Sequence, residues 1–174
     1  GNGTDNTSAV QSAINYALAN GIRRIHFPGG TGYYRFASAS APLNPGIGNL
    51  HFSGDGMDSS KILFEEGTVT VGTRKVLFGN NTTSLKGSLE FSGLGFNGTL
   101  TQKGYVEGGG AAMFLDYYKS INIHHCKFFD LSFMATACEA IRSVQFTHNH
   151  CERIVRDICR FRSSFNCFVT HNYF

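Results

Sequence analysis

The chain is poor in proline, nearly balanced in charge and without a long apolar run. It has 3 prolines in 174 residues, beside 21 glycines and 16 phenylalanines. Disordered chains are poor in aromatic residues, so this composition excludes disorder and favours a turn-rich β-protein with an aromatic core. Because neither a signal peptide nor a membrane-spanning run is recognisable, we expect no membrane insertion.

The net charge of +3 gives no support to nucleic-acid binding. Arginines crowd the C-terminal third, namely Arg142, Arg153, Arg156, Arg160 and Arg162. Acidic residues interleave with them, which is typical of a mixed, solvated surface. We therefore expect no nucleic acid among the partners.

The cysteines do not form the even set that a disulfide framework needs. There are five, and Cys151 and Cys167 stand where related stretches of the chain carry phenylalanine or valine. We therefore expect reduced cysteines that behave as small, mostly buried apolar side chains.

One short phrase recurs at an interval of 23 residues. It reads SINIHHCKF at 120–128, SVQFTHNHC at 143–151 and NCFVTHNYF at 166–174. Apolar and polar residues alternate at its start, which is the pattern of a half-buried strand. A fixed period of this length indicates stacked coils, in which each strand pairs in parallel with the equivalent strand of the next coil. We expect Ile121, Val144 and Cys167 to be buried in consecutive parallel strands, and Phe128, Cys151 and Phe174 to form an interior column.

The phrase extends towards the N-terminus with longer intervals. Leu89-Glu90-Phe91 precedes Ile121 by 32 residues, and Leu50-His51-Phe52 precedes Leu89 by 39. The surplus is assigned to inserted loops at 98–110 and over much of 55–75. Insertions of this kind collect on one face of a stack, often the binding face.

The first segment of the chain has the pattern of a capping helix. Asp5 to Ser8 offer several N-caps, Ser8 can form a capping box with Gln11, and Gly21 ends the helix. Its apolar face consists of Val10, Ala13, Ile14, Ala17 and Leu18. Such a helix can cover the open apolar end of a stack of coils.

We expect one domain over 1–174, with the cap helix and first strands in 1–48 and the coils in 49–174. Phe174 occupies the third apolar position of a coil, and no polar capping unit follows it. The sequence therefore predicts a fragment of a longer stack, truncated at its C-terminal end, so catalytic residues can lie beyond position 174.

Three stretches resemble the N-terminal segment of the pectate lyase-like superfamily. They are GNGTDNTSAVQSAINYALANG at 1–21, IHFPGGTGYYRF at 25–36 and LHFSGDGMDSSKI at 50–62. The resemblance implies an all-β fold, a right-handed parallel β-helix with three sides. The chain is especially similar to phage tailspike depolymerases and to secreted polysaccharide lyases, hydrolases and epimerases. This implies polysaccharide as a partner, an extracellular or virion-surface location and a possible homotrimer.

The resemblance also places a candidate site. In the family, the first strand of each coil and its flanking loops form the sugar-binding groove. Here that strand is 111–115, aligned with 134–138 and 157–161, and it is followed by Asp116, Glu139 and Arg162 at equivalent bends. Arg160 should point outwards beside them, as Phe114 and Ala137 do, while Leu115, Cys138 and Phe161 should point inwards.

These residue types fit two reactions on a polysaccharide. Glycoside hydrolysis needs two carboxyl groups about 5 to 9.5 Å apart, which Asp116 and Glu139 can provide from adjacent coils. A lyase needs a base and cations that neutralise a uronate carboxylate, for which Arg160 and Arg162 are candidates. The alternative is a surface charge ladder without catalysis. Tyr105 and Glu107, on the inserted loop, are candidates for sugar binding.

Neither a metal nor another cofactor is expected. Histidines cluster in the repeated phrases near Cys126 and Cys151, but equivalent side chains of stacked coils run parallel, whereas zinc ligands must converge at about 2 Å. Phosphate-loop and nucleophile motifs are also missing. The function predicted from the sequence is therefore polysaccharide binding and depolymerisation. The alternative is a non-catalytic carbohydrate-binding adhesin or structural spike.

Overall fold

The fold was obtained as a computed structural model, which describes residues 4–37, 42–67, 75–79, 83–99 and 110–174. These residues form one helix and fifteen strands. Their bounds are α1 (Thr7–Ala19), β1 (Arg24–Phe27), β2 (Tyr33–Phe36), β3 (Leu50–Gly54), β4 (Lys61–Phe64), β5 (Lys75–Gly79), β6 (Lys86–Ser92), β7 (Gly95–Asn97), β8 (Gly110–Asp116), β9 (Tyr118–His124), β10 (Lys127–Leu131), β11 (Met134–Glu139), β12 (Ser143–Thr147), β13 (His150–Ile154), β14 (Asp157–Arg162) and β15 (Cys167–Thr170).

The strands form three parallel sheets that wrap around one core. The six-stranded sheet has the order β1-β3-β6-β9-β12-β15, the five-stranded sheet β13-β10-β7-β4-β2, and the four-stranded sheet β14-β11-β8-β5. Each complete coil contributes one strand to each sheet. The protein is therefore a three-sided parallel β-helix, as the repeat predicts.

The predicted registers are confirmed. Leu50 pairs with Leu89, Leu89 with Ile121, Ile121 with Val144, and Val144 with Cys167. The insertions were assigned less accurately, since β4 lies inside the stretch 55–75. The insertion 98–110 does separate β7 from β8, and most of it lies outside the described residues.

Aromatic columns fill the interior. Phe52 stacks on Phe91, and Phe96 on Phe128, each with ring centroids 5.0 Å apart and planes 13° apart. Such contacts contribute about 0.5–1.5 kcal/mol beyond the burial of area.

Two predictions of burial were wrong at the far end of the stack. Cys167 and Phe174 are exposed, although Ile121, Val144, Phe128 and Cys151 are buried. Cys167 is in β15, which among the described residues is the outermost strand of its sheet. All five cysteines are free thiols.

Single left-handed residues turn the chain between the six-stranded and five-stranded sheets. At equivalent positions of successive coils, Gly93, His125, His148 and His171 have φ values of 64°, 52°, 55° and 55°. Asparagine tolerates left-handed backbone better than most residues, yet Asn149 and Asn172 follow the bend and act through their side chains. Asn149 accepts a hydrogen bond from the Cys126 N–H and donates one to the Ile123 carbonyl, each at 2.9 Å.

Helix α1 covers the first coil, with Ile14 and Ala17 buried in the main core. Ala13 is exposed, contrary to the prediction. The capping box is also absent, because Asn6 precedes the first turn and Gln11 instead bonds to the backbone of Asn44.

Candidate functional site

The residues predicted for catalysis lie on the four-stranded sheet, as expected from their spacing. Asp116 pairs with Glu139, and Glu139 with Arg162, across β8, β11 and β14. Arg162 Nε is 3.8 Å from Glu139 Oε1. The predicted inward-facing positions Leu115 and Cys138 are buried, and Phe161 is partly buried against the same core.

Three of the four predicted catalytic residues line one small cavity. Glu139, Arg160 and Arg162 surround a space of about 60 Å³, with Phe114 as an apolar wall. Asp116 is beside this cavity through its pairing with Glu139, and its backbone carbonyl accepts a 2.5 Å hydrogen bond from Lys86 Nζ. Burial lowers the pKa of Lys86, while Asp116 opposes that shift. The candidate sugar-binding residues Tyr105 and Glu107 lie outside the described residues.

A larger groove lies on the outer face of the six-stranded sheet, and its volume is about 420 Å³. Its central row consists of His51, Glu90, Asn122 and Gln145, one from each of the consecutive strands β3, β6, β9 and β12. A second row consists of Asn49, Ser88, Ser120 and Ser143, and Arg23 lies at one end. We call this space the polar groove.

The imidazoles of His51 and His124 both lie close to the Glu90 carboxylate in the polar groove. Glu90 Oε1 is 2.9 Å from His124 Nε2 and 3.7 Å from His51 Nε2. Ser92 Oγ lies 2.7 Å from that same nitrogen of His51. Both of these contacts of His51 are made by Nε2, which leaves Nδ1 to accept a proton.

The environment of His51 favours the uncharged imidazole more strongly than water does, because it lowers the pKa of this side chain. Burial is the largest cause of its lowered pKa, and Arg24, His124 and His26 act in the same direction. Glu90 opposes the shift. An uncharged imidazole can act as a general base.

The histidines at the neighbouring corner form a stacked column with parallel rings. The rings of His125, His148 and His171 stack at 5.0 and 4.9 Å with planes 4° apart. In the described part of the chain, no three histidine, cysteine, aspartate or glutamate side chains are arranged to hold a metal ion.

A third hollow, of about 640 Å³, lies at the outermost strand of the five-stranded sheet. It is lined partly by Cys151, which belongs to the main core, and by Ile158, which packs against that core. It is thus an uncovered part of the interior rather than a groove on an outer face.

Sequence reasoning missed the polar groove, although a signal for it was present. His51 and Glu90 are the middle residues of the phrases at 50–52 and 89–91, and alternation places them on the outer face. Applying the inferred register to these polar residues would have placed His51 beside Glu90 and Glu90 beside Asn122.

Comparisons with protein-family models, curated proteins and solved structures find no match for this chain. Similarity to the pectate lyase-like superfamily therefore remains a resemblance of sequence motifs, while the parallel β-helix itself is observed. Among the described residues, the single helix is too short and too polar to cross a membrane.

Proposed function

We propose that the protein binds an acidic polysaccharide along the polar groove and cleaves it by β-elimination. The observation that supports binding is a continuous row of amide, hydroxyl, imidazole and carboxylate groups across four strands. Strands of one sheet are about 4.8 Å apart, so this row extends over roughly 14 Å, which suits a polymer rather than a single small molecule. Polar groups at regular intervals can hydrogen-bond to successive sugar hydroxyls.

The chemistry at the Arg23 end of the groove supports cleavage. β-Elimination requires a base that removes the C5 proton of a uronate and a cation that stabilises the negative charge developing on its carboxylate. His51 provides a base with a lowered pKa, and the Arg23 guanidinium provides the cation. Glu90, which contacts both His51 and His124, orients the two imidazoles.

One observation favours the alternative of carbohydrate binding without hydrolysis. Among the described residues that line the polar groove, Glu90 is the one carboxylate, whereas glycoside hydrolysis uses two. The two paired carboxylates, Asp116 and Glu139, lie on the four-stranded sheet instead. A hydrolase would therefore use Asp116 and Glu139, as predicted from the sequence. An adhesin would use neither these two carboxylates nor His51 and Arg23 for catalysis.

The experiment compares binding and cleavage on the same set of polymers. Binding of polygalacturonate, alginate, hyaluronan and neutral dextran is measured by calorimetry with the purified chain. Cleavage is measured as the absorbance of the unsaturated product and as reducing-end release. We expect an acidic polymer to bind and to give the unsaturated product. Failure of all acidic polymers to bind contradicts the proposal.

Variants then locate the reaction. His51→Ala should reduce cleavage by about 100- to 10,000-fold, the usual effect of removing a proton-transfer group, while retaining binding. Arg23→Ala should weaken binding of acidic polymers. Glu152→Gln, an exposed position outside both candidate sites, serves as the control.

Asp116→Asn and Glu139→Gln test the site predicted from the sequence in the same assays. Under the proposal both variants retain full β-elimination activity. Loss of activity in these two, with His51→Ala unaffected, would move catalysis to the four-stranded sheet. Binding without cleavage in the unsubstituted chain would establish the adhesin alternative.

The location and assembly of the protein follow from the same proposal. An extracellular or virion-surface location gives access to polysaccharide. The resemblance to tailspikes implies a homotrimer. Light scattering of the purified chain tests the assembly directly. A trimer mass is expected, and a monomer at all concentrations contradicts it.

A further inference from the structure

Beside the polar groove, Ser53, His26 and Asp55 form a hydrogen-bonded relay. Ser53 Oγ lies 3.0 Å from His26 Nδ1, and His26 Nε2 lies 2.9 Å from Asp55 Oδ1. The serine and the carboxylate thus meet opposite nitrogens of one imidazole. With its proton on Nε2, His26 donates to Asp55 and accepts from the Ser53 hydroxyl, which is the arrangement that activates a serine nucleophile.

The relay is fixed by the parallel pairing of β1 and β3. His26 is in register with Ser53, so both project from the outer face of the six-stranded sheet. Arg24, on the same face, donates a 2.8 Å hydrogen bond from Nε to Ser53 Oγ. A guanidinium in this position favours negative charge on the serine oxygen.

The Asp55 carboxylate is held ionised. Gly29 N–H donates a 2.8 Å hydrogen bond to Asp55 Oδ2, the oxygen that does not face His26. This bond is the largest cause of the lowered pKa of Asp55, and His26 adds to it. A charged Asp55 keeps the proton on His26 Nε2 and stabilises the imidazolium that forms when Nδ1 takes up a proton.

A neighbouring serine–histidine pair lacks the arrangement in which the carboxylate contacts the imidazole nitrogen opposite the serine. Ser92 Oγ also contacts an imidazole, that of His51, at 2.7 Å. Glu90, however, approaches the same nitrogen, Nε2, at 3.7 Å. A carboxylate on that nitrogen competes with the serine instead of supporting it, so this pair does not form a relay.

We propose that Ser53, His26 and Asp55 hydrolyse acyl esters, with O-acyl groups on sugar hydroxyls as the substrate class. Ser53 Oγ bonds to the carbonyl carbon while its proton moves to His26 Nδ1. The carbon–oxygen bond to the alcohol then breaks, and the alcohol leaves with that proton. Water next attacks the acyl carbon and gives a proton to Nδ1. The bond from Ser53 Oγ to the acyl carbon then breaks, Nδ1 returns the proton to Oγ, and the carboxylic acid leaves. Water is the only co-reactant.

Access to Ser53 requires movement of the side chains that cover it. Ser53 is 2% exposed, and both Arg24 and His26 hydrogen-bond to its hydroxyl. Arg24 is itself exposed, so its guanidinium can leave Oγ and contact the carbonyl oxygen of an incoming ester. There it would stabilise the negative charge of the tetrahedral intermediate.

The ester proposal does not depend on polysaccharide cleavage. His51 and Ser53 are two residues apart on β3, about 7 Å along one face, so an acylated polymer in the groove can reach both. Hydrolysis of a small ester needs only the relay. Loss of one activity and retention of the other therefore separates the two proposals.

The test uses the complete chain with p-nitrophenyl acetate and with a fluorophosphonate probe. We expect a burst of p-nitrophenolate, an acetyl group on the peptide containing Ser53, and labelling of Ser53 by the probe. Ser53→Ala should abolish all three, and Ser164→Ala, whose hydroxyl bonds only to backbone atoms, should abolish none. Surface imidazoles hydrolyse this ester without a burst or an acetylated serine, so the adduct is the decisive readout.

A second variant covers the case in which Ser53→Ala does not fold. Asp55→Asn retains the nucleophile and should reduce ester hydrolysis by about 10,000-fold, as expected when a relay loses its carboxylate. Circular dichroism confirms folding of each variant. Acetylation of residues other than Ser53, or a full rate in Asp55→Asn, overturns the proposal.

Discussion

Glu66 is a carboxyl group buried where the five-stranded and four-stranded sheets meet, and its side chain is fully shielded from solvent. Its Oε1 accepts a 3.0 Å hydrogen bond from Ser132 N–H. Its Oε2 has no hydrogen-bond partner within the described residues. Gly98 and Gly110 lie against the carboxyl group, and a Cβ atom at either position would collide with it. The two glycines thus make room for a buried acid.

Burial raises the pKa of Glu66 from its ordinary value of 4.5 to about 7. The folded state therefore holds its proton over a range in which the unfolded chain releases it. Stability falls as the pH rises from about 4.5 to 7, and the total loss is about 3 kcal/mol at 1.36 kcal/mol per pKa unit. Below 4.5 and above 7 this group contributes no pH dependence.

Glu66→Gln should remove that dependence, because an amide does not ionise. Relative to the unsubstituted protein, the variant should become more stable by about 3 kcal/mol between pH 4.5 and pH 8, measured by urea unfolding. Glu65→Gln is the matched control, since Glu65 is half-buried and paired with Arg35 at 2.6 Å. It should lose about 1 kcal/mol or less. An equal pH profile for Glu66→Gln and the unsubstituted protein would contradict the prediction.

At the scale of the element, the corner between two sheets is fixed by asparagine side chains that bond to the preceding coil. Asn149 bonds to Cys126 and Ile123, as described above, and Asn172 repeats the arrangement one coil later. Its side chain accepts from Asn149 N–H and donates to the Phe146 carbonyl, each at 2.8 Å. These bonds satisfy backbone groups that no strand partner reaches.

Asn149→Ala should destabilise the protein by about 3 kcal/mol. The substitution leaves the buried Cys126 N–H and Ile123 carbonyl without partners, and each unsatisfied group costs about 1–3 kcal/mol. Asn172→Ala removes equivalent bonds at a half-buried site and should cost about 1 kcal/mol. Denaturant unfolding of both variants checks the difference, and equal losses would show that burial does not control the effect.

The sequence predicted strands and registers well because one physical cause controls both. Alternation gives the strand, and the 23-residue period places like residues in columns, so the pairing of Ile121 with Val144 could be read directly. The corner was read less well. Asparagine favours left-handed backbone, yet the left-handed residue is His148, and Asn149, one position later, bonds through its side chain to the preceding coil.

The candidate sites show a second limit. Asp116, Glu139 and Arg162 were brought together by register alone, as predicted. The depth of an outer face, however, depends on the twist of each sheet and on side-chain conformations, which periodicity does not specify. The alternation therefore indicates that His51 is exposed on a face, but it does not indicate that this face forms a groove of about 420 Å³.

At the scale of the whole molecule, each coil contacts only its neighbours, so stability should be distributed along the stack. Helix α1 protects one end. Ile14 is fully buried against the first coil, whereas Tyr16, two residues later, is 64% exposed. Loss of the packing at Ile14 should therefore affect the first coil before the later ones.

Ile14→Ala should open the helix end of the stack without unfolding the rest. Truncation of a buried isoleucine costs about 2–5 kcal/mol, and a loss of 3 kcal/mol corresponds to roughly 100-fold faster opening. Hydrogen exchange followed by mass spectrometry should thus accelerate by about this factor in α1, β1 and β2. Peptides from β9 to β12 should retain their protection, because these strands pair with β6, β7, β8, β13, β14, β15 and one another, and not with β1 or β2. Tyr16→Ala should change neither region. Equal acceleration in β1 and β12 would mean that the coils unfold as one cooperative unit, and the nearest-neighbour description would then be wrong for this protein.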